Sequence, residues 1–165
     1  MVATVIINEK NTVSETATDK TSGTVRFKNA DNATVDINDP MVIPASGSDW
    51  SFEKWLRLEI TVAPDNQIEN LRAYSDGSEA VTGVNYWYRT IGVFATPVQP
   101  ASNAGLTDLF TSNSGSPIDM DAVNTGPFTG TGEIGDYLVL SLEVDDTATQ
   151  GNLAAETLTF AYDES

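Results

Sequence analysis

The run Trp55-Leu56-Arg57-Leu58-Glu59-Ile60-Thr61-Val62 decides the fold. Leu56, Leu58, Ile60 and Val62 fall at every second position, with Arg57, Glu59 and Thr61 between them. Successive side chains of a strand point to opposite faces, so this spacing predicts a strand dry on one face and wet on the other. One-sided burial of that kind is a property of antiparallel sheets. The stretch from Asp136 to Val144 repeats the pattern, with Leu138, Leu140, Leu142 and Val144 inward and Ser141 and Glu143 outward, although Val139 blurs it. Leu158, Phe160 and Tyr162 do so again near the end of the chain.

Weaker alternating runs lie at 2–7, 23–29, 33–37, 68–74 and 84–91, most of them bounded by Gly, Pro, Asn or Asp. About eight strands are expected in all. Helical patterning is confined to a turn or two around Leu106 to Phe110, and threonine is abundant, a residue that favours strands. No repeat of solenoid period occurs. The expected fold is therefore all-β, a single antiparallel sandwich or jelly roll spanning residues 1–165.

Two parts read as irregular. Residues 1–21 are expected to form an N-terminal arm, with a first strand allowed inside it, and residues 96–135 a long loop rich in Ser, Gly, Asn and Pro. A loop of that length inside a small domain is usually functional or held by a partner. The arm supplies Asn8, Val13, Thr16 and Lys20 as candidate interface residues, and the loop supplies Pro97, Leu106, Phe110 and Phe128. Deleting residues 1–20 is expected to weaken binding and leave the sandwich folded.

Charge narrows the class of function. The chain carries −16, unevenly: residues 1–90 hold 13 acids and all 8 bases, whereas residues 91–165 hold 11 acids and no base. Such a field repels phosphates and anionic lipid heads, so neither nucleic acid nor a membrane surface is an expected partner. Excess acid serves solubility or a basic partner, and the sequence leaves both open. Lys28, Lys54, Arg57, Arg72 and Arg89 sit mostly on expected strands, where cross-strand pairing with acids is their ordinary role. The opening MVATVIINEK has no basic start and too short an apolar run for a cleaved export signal, and no window is apolar enough to span a membrane.

The chain has neither His nor Cys, which removes the commonest general base, zinc ligand and thiolate nucleophile together. The acids Asp119, Asp121, Glu133, Asp136, Asp145 and Asp146 are the candidates for a carboxylate pair, but no feature selects two of them. The stretch Ile118-Asp119-Met120-Asp121-Ala122-Val123-Asn124-Thr125-Gly126 resembles a calcium loop only at its start. Counted from Asp119, the EF-hand positions 5, 6 and 12 hold Val123, Asn124 and Gly130, which supply neither the ligands nor the glycine turn. Turn formation is the reading preferred, with a calcium ion across Asp119 and Asp121 in another geometry as the alternative. No catalytic residue, metal site or cofactor is expected.

Aromatic residues cluster at Tyr86, Trp87 and Tyr88. If Tyr86 and Tyr88 face the core, Trp87 and Arg89 face outward, and an outward Trp serves as a sugar platform, as an interface anchor, or as a ring covered by a loop. At least one of Trp50 and Trp55 is expected to pack in the core.

The runs TVSETATDKTSGTVRFKNADNATVDINDPMVIPASGSDWSFEKWLRL, GSPIDMDAVNTGPFTGTGEIGDYLVLSLEV and AAETLTFAYDES together resemble a family of small acidic β proteins of tailed bacteriophages. The resemblance covers most of the chain and lies in overall text, so it assigns no residue a role. It implies a virion structural protein and not an enzyme: a head decoration (cement) protein, bound to the major capsid protein on the capsid exterior, often as a trimer, and assembled in the host cytoplasm. A carbohydrate-binding or fibre-like module built on Trp87 and a tail or neck component are the alternatives.

Overall fold

In the computed structural model the alternating runs become the facing walls of two antiparallel sheets. Residues 2–78, 81–151 and 153–165 are described. Among them the strands are β1 (Thr4–Asn11), β2 (Thr16–Asp19), β3 (Ser48–Trp50), β4 (Lys54–Val62), β5 (Ile68–Ser75), β6 (Val84–Ile91), β7 (Thr107–Asp108), β8 (Ile118–Asp119), β9 (Gly132–Asp145) and β10 (Leu158–Glu164). The larger sheet has seven strands in the order β2-β1-β4-β9-β6-β7, with β3 on β9 beyond the end of β4. The smaller has three, in the order β10-β5-β8.

The core lies between the sheets. Leu56, Leu58 and Ile60 of β4, Leu138, Leu140, Leu142 and Val144 of β9, and Val84 and Tyr86 of β6 pack in one cluster with Ile68, Leu71 and Ala73 of β5, Ile118 of β8 and Met120. The apolar phase of β4 and β9 is thus the buried one. On the reverse face of the larger sheet Trp55, Tyr137 and Val139 form a second buried cluster, which Ile91 and Phe94 cover. Trp50 is buried as well.

The two sheets are joined where β9 bulges. Leu56 opposes Leu138 and Leu58 opposes Ile134, so β9 carries extra residues across from Arg57. There the Asp136 N–H donates to the Met120 carbonyl, and the Met120 N–H donates to Leu71 of β5.

Three expectations need correcting. Residues 8–21 are no free arm: β1 pairs with β4 from Thr4 to Lys10, and β2 folds back on β1 as a hairpin. Deleting residues 1–20 would strip an inner strand from the sheet, so the expectation that the fold survives it is withdrawn. Second, residues 23–29 and 33–37 are not strands; 20–47 runs as irregular chain, with Val25, Phe27 and Met41 against the core. Third, residues 96–135 contain β7, a 3-10 turn at Leu109–Thr111, β8, the start of β9 and a bridge from Phe128 to Ile68. That turn is the only helical structure near Leu106 to Phe110.

Candidate binding cleft

An irregular segment as long as 20–47 must find partners for its backbone groups, and here lysines provide them. The Lys20 ammonium donates to the carbonyls of Thr24 (3.0 Å) and Ala33 (2.7 Å). Lys28 donates to the Thr34 carbonyl and the Asp36 carboxylate. Lys54 donates to the Asn32 carbonyl (2.7 Å) and to Glu9 Oε1 (3.0 Å). Glu9 Oε2 lies 3.5 Å from Lys20, so one fully buried carboxylate joins two buried ammonium groups. An ammonium has three donors and can hold several carbonyls at once, which suits it to clamping coil.

Each group bears the mark of its surroundings. Burial pulls the Lys54 ammonium below its ordinary pKa, and Glu9 opposes that shift without cancelling it. The hydrogen bond from Lys28 holds the Asp36 carboxyl below the usual range.

Lys10 is the fourth lysine, and it is buried too, bound to Glu133. Arg57 pairs with Glu133 and lies 4.6 Å from the Tyr137 ring centroid; Arg72 pairs with Asp163, and Arg89 with Glu53. Among the described residues Arg26 is the one base without an ion pair. The four lysines are therefore buried, and among the described residues every base but Arg26 is paired with an acid, so the unpaired charge at the surface is mostly acidic. Amine acylation of the native protein should modify Lys10, Lys20, Lys28 and Lys54 more than about tenfold more slowly than the urea-unfolded chain. Peptide mapping by mass spectrometry reads this, and prompt native-state modification of Lys54 would contradict it.

An apolar cleft opens in that acidic surface. The smaller sheet does not cover the whole inner face of the larger one, and a cleft of about 650 Å³ remains between them. Its floor includes Ile7, Leu56, Leu140 and Leu142 of the larger sheet. One lip is formed by residues 23–27 with Ile37 and Met41, and the other by residues 153–158 with Phe160 of β10. Ile37, 83% exposed, and Leu153, 40% exposed, place aliphatic side chains at the two lips. Glu156 also lines the cleft, and its buried Oε1 has no hydrogen-bond partner.

The cleft gathers two of the ten residues expected at an interface, Lys20 and Phe110, the second packed edge-on against Tyr86. The others are dispersed. Asn8 is buried and donates to Glu59, Val13 is exposed at the β1–β2 hairpin turn, and Thr16 is exposed on β2. Trp87 is half-buried, with its indole N–H on Glu143, and Arg89 lies over Trp55. Pro97 is buried, while Leu106 and Phe128 are half-buried. Residues 23–27 and 153–158, which form the two lips, were not expected at an interface, because the cleft arises from a mismatch in sheet size that periodicity along one strand does not reveal.

The aspartates of the 118–126 stretch organise backbone. Asp119 accepts from the Asp121 N–H, a turn of the kind its residue types favour. Buried Asp136 accepts from the N–H groups of Val123 and Asn124 and from the Asn124 side chain. Burial and the neighbouring Asp119 raise the pKa of Asp121, so its charge opposes folding at neutral pH. The contribution of a raised carboxyl is fully present below its unfolded value of 3.8 and is lost as pH rises through the folded value. Asp121→Asn should therefore stabilise the protein at pH 7, by up to about 1 kcal/mol for this half-buried group, with the gain shrinking towards pH 3. Thermal melts across that range check the sign. Among the described residues no group of three or more acids is arranged to hold a metal ion, and no helix is long and apolar enough to cross a membrane.

The fold and cleft define a class: an acidic two-sheet β protein with an apolar cleft. No protein-family model, curated protein or solved structure matches the chain.

Proposed function

We propose that this chain is a structural binding protein of a tailed-bacteriophage particle, a head decoration (cement) protein that contacts the major capsid protein on the capsid exterior and stabilises the head. The observation that carries the reading is the contrast between a surface with few free cations and an apolar cleft with exposed aliphatic side chains at its lips. A polyanionic exterior keeps the assembled particle from adsorbing DNA and other polyanions, and an apolar cleft gives each copy a place to hold its partner. No reaction is part of this reading, and a trimer assembled in the host cytoplasm and seated on the virion is. A jelly-roll form of the two sheets belongs to the same proposal, supported by the order β1-β4-β9-β6, in which sheet neighbours are distant in the chain.

The test is binding. Purified protein should co-sediment with shells from which it has been removed and raise their resistance to heat. Failure to bind such shells at saturating concentration would overturn the proposal and favour a tail or neck position. The sugar-binding alternative has one favourable observation, the outward setting of Trp87, but its indole N–H is already taken by Glu143. Quenching of Trp fluorescence by a glycan, lost in Trp87→Ala, would establish it.

A further inference from the structure

Four of the five strands at the sheet edges are blunt, β3 among them with three residues. β2 is short, exposed and reads Thr-Ala-Thr-Asp, and β7 and β8 have two residues each. Short polar edges are how sheets avoid adding foreign strands. β10 is different: it runs for seven residues as Leu-Thr-Phe-Ala-Tyr-Asp-Glu, half-buried as far as Tyr162, with β5 on one side and no strand on the other among the described residues. Its bulge falls between Ala161 and Asp163, so the regular free edge is Leu158–Ala161. That same stretch, through Leu158 and Phe160, is a lip of the cleft. The smaller sheet thus ends beside an uncovered apolar part of the larger one.

We propose that the cleft receives one extended strand of a different protein, which pairs with the free edge of β10 as a fourth strand of the smaller sheet. Its alternate apolar side chains lie on Ile7, Leu56, Leu140 and Leu142, and Lys or Arg residues flank it. The inference rests on the structural-binding reading above and deepens it by stating the chemistry of the partner. Backbone pairing supplies affinity in this mode of recognition, and alternate side-chain pockets supply specificity.

Charge identifies the occupant. The lip from 153 to 158 carries Glu156 and no base, while Asp163, beyond the cleft, is already paired with Arg72. Asp19 and Asp39, both exposed, adjoin the lining residues Lys20 and Pro40. Lys20 is already occupied by Glu9 and two carbonyls, which leaves Arg26 as the one lining cation free to meet an acid. The orphan oxygen of Glu156 offers a donor on the incoming strand a ready acceptor. A second copy of this chain fits poorly: both bodies carry −16, and the C-terminal half has no base to offer.

The experiment uses the full chain and two synthetic peptides with valine at alternate positions and threonine between them, one flanked by lysines and the other by glutamates. The lysine-flanked peptide should bind at least about tenfold more tightly at low salt, and the difference should shrink as salt is added. At saturation it should slow amide exchange at Leu158–Ala161. Ile37→Lys, at an exposed position where the fold does not depend on it, should weaken binding by about tenfold through lost apolar contact and like charge. Absence of binding, equal affinity for both peptides, or binding without protection of β10 would overturn the proposal. So would a dimer in sedimentation whose interface protects β10, since the occupant would then be a second copy. Because no shells are involved, failure here is distinguishable from failure of the particle-binding reading.

Discussion

Lys54→Ala is expected to destabilise the protein by about 3–5 kcal/mol, the scale on which removing one partner of a buried ion pair acts. Lys54 and Glu9 are both fully buried, 3.0 Å apart. Without the ammonium, Glu9 keeps the longer contact to Lys20 and a hydrogen bond from the Asn11 side chain, and the Asn32 carbonyl loses its donor. The pair need not be a net source of stability, because desolvating two charges offsets most of their attraction; the loss comes from stranding the survivor. Glu9→Leu combined with Lys54→Met should accordingly cost less than the sum of the two single changes. Urea denaturation of the four proteins measures this coupling.

The same lysine sets a pH dependence. Its folded pKa lies below 10.5, so between the two values the unfolded chain binds more protons and this group's contribution to stability rises with pH. Tyr137 acts in the opposite sense above pH 10: burial and the hydrogen bond to Glu15 keep its phenol protonated in the fold, and that contribution is lost at higher pH. Comparing wild type with Lys54→Met as pH approaches 10 isolates the lysine.

Gly135→Ala should cost about 2–4 kcal/mol, from left-handed backbone strain and steric overlap together. Gly135 has φ +66°, and an added Cβ would lie 2.5 Å from both Leu71 Cδ1 and the Met120 carbonyl oxygen. The clash falls where the β9 bulge meets the smaller sheet, and a backbone carbonyl cannot rotate away as a flexible side chain would. Gly105→Ala is the control. Its φ is +77° with nothing within 4 Å of the added methyl, so only the strain of about 1–2 kcal/mol should appear. Equal losses at the two positions would show that β9 and the smaller sheet are less tightly apposed than described.

Much of the architecture is legible where burial is one-sided. The leucines of β4 and β9 alternate because each strand has one dry face, and 84–91 reads as the strand it is for the same reason. Alternation misleads at 23–29, where Val25 and Phe27 pack on the core while Lys28 turns inward to bind Asp36. A lysine in a polar run reads as solvent-facing. That Lys54 is buried depends on Glu9 opposing Leu56 across the β1–β4 pair, a matter of register between distant segments. The cleft is less legible still, since its walls come from β1, β4, β5, β6, β9 and β10, from the 3-10 turn and from irregular segments. Only Lys20 and Phe110 point to it from the chain itself, one as an isolated base and the other as an aromatic residue in a polar loop.

The most direct test of the decoration reading is the copy number of this chain relative to the major capsid protein, by quantitative mass spectrometry of particles purified from its source. The account predicts a ratio of about one, or a simple fraction such as about one third for trimers at symmetry positions. A few copies per particle, or none, would contradict it.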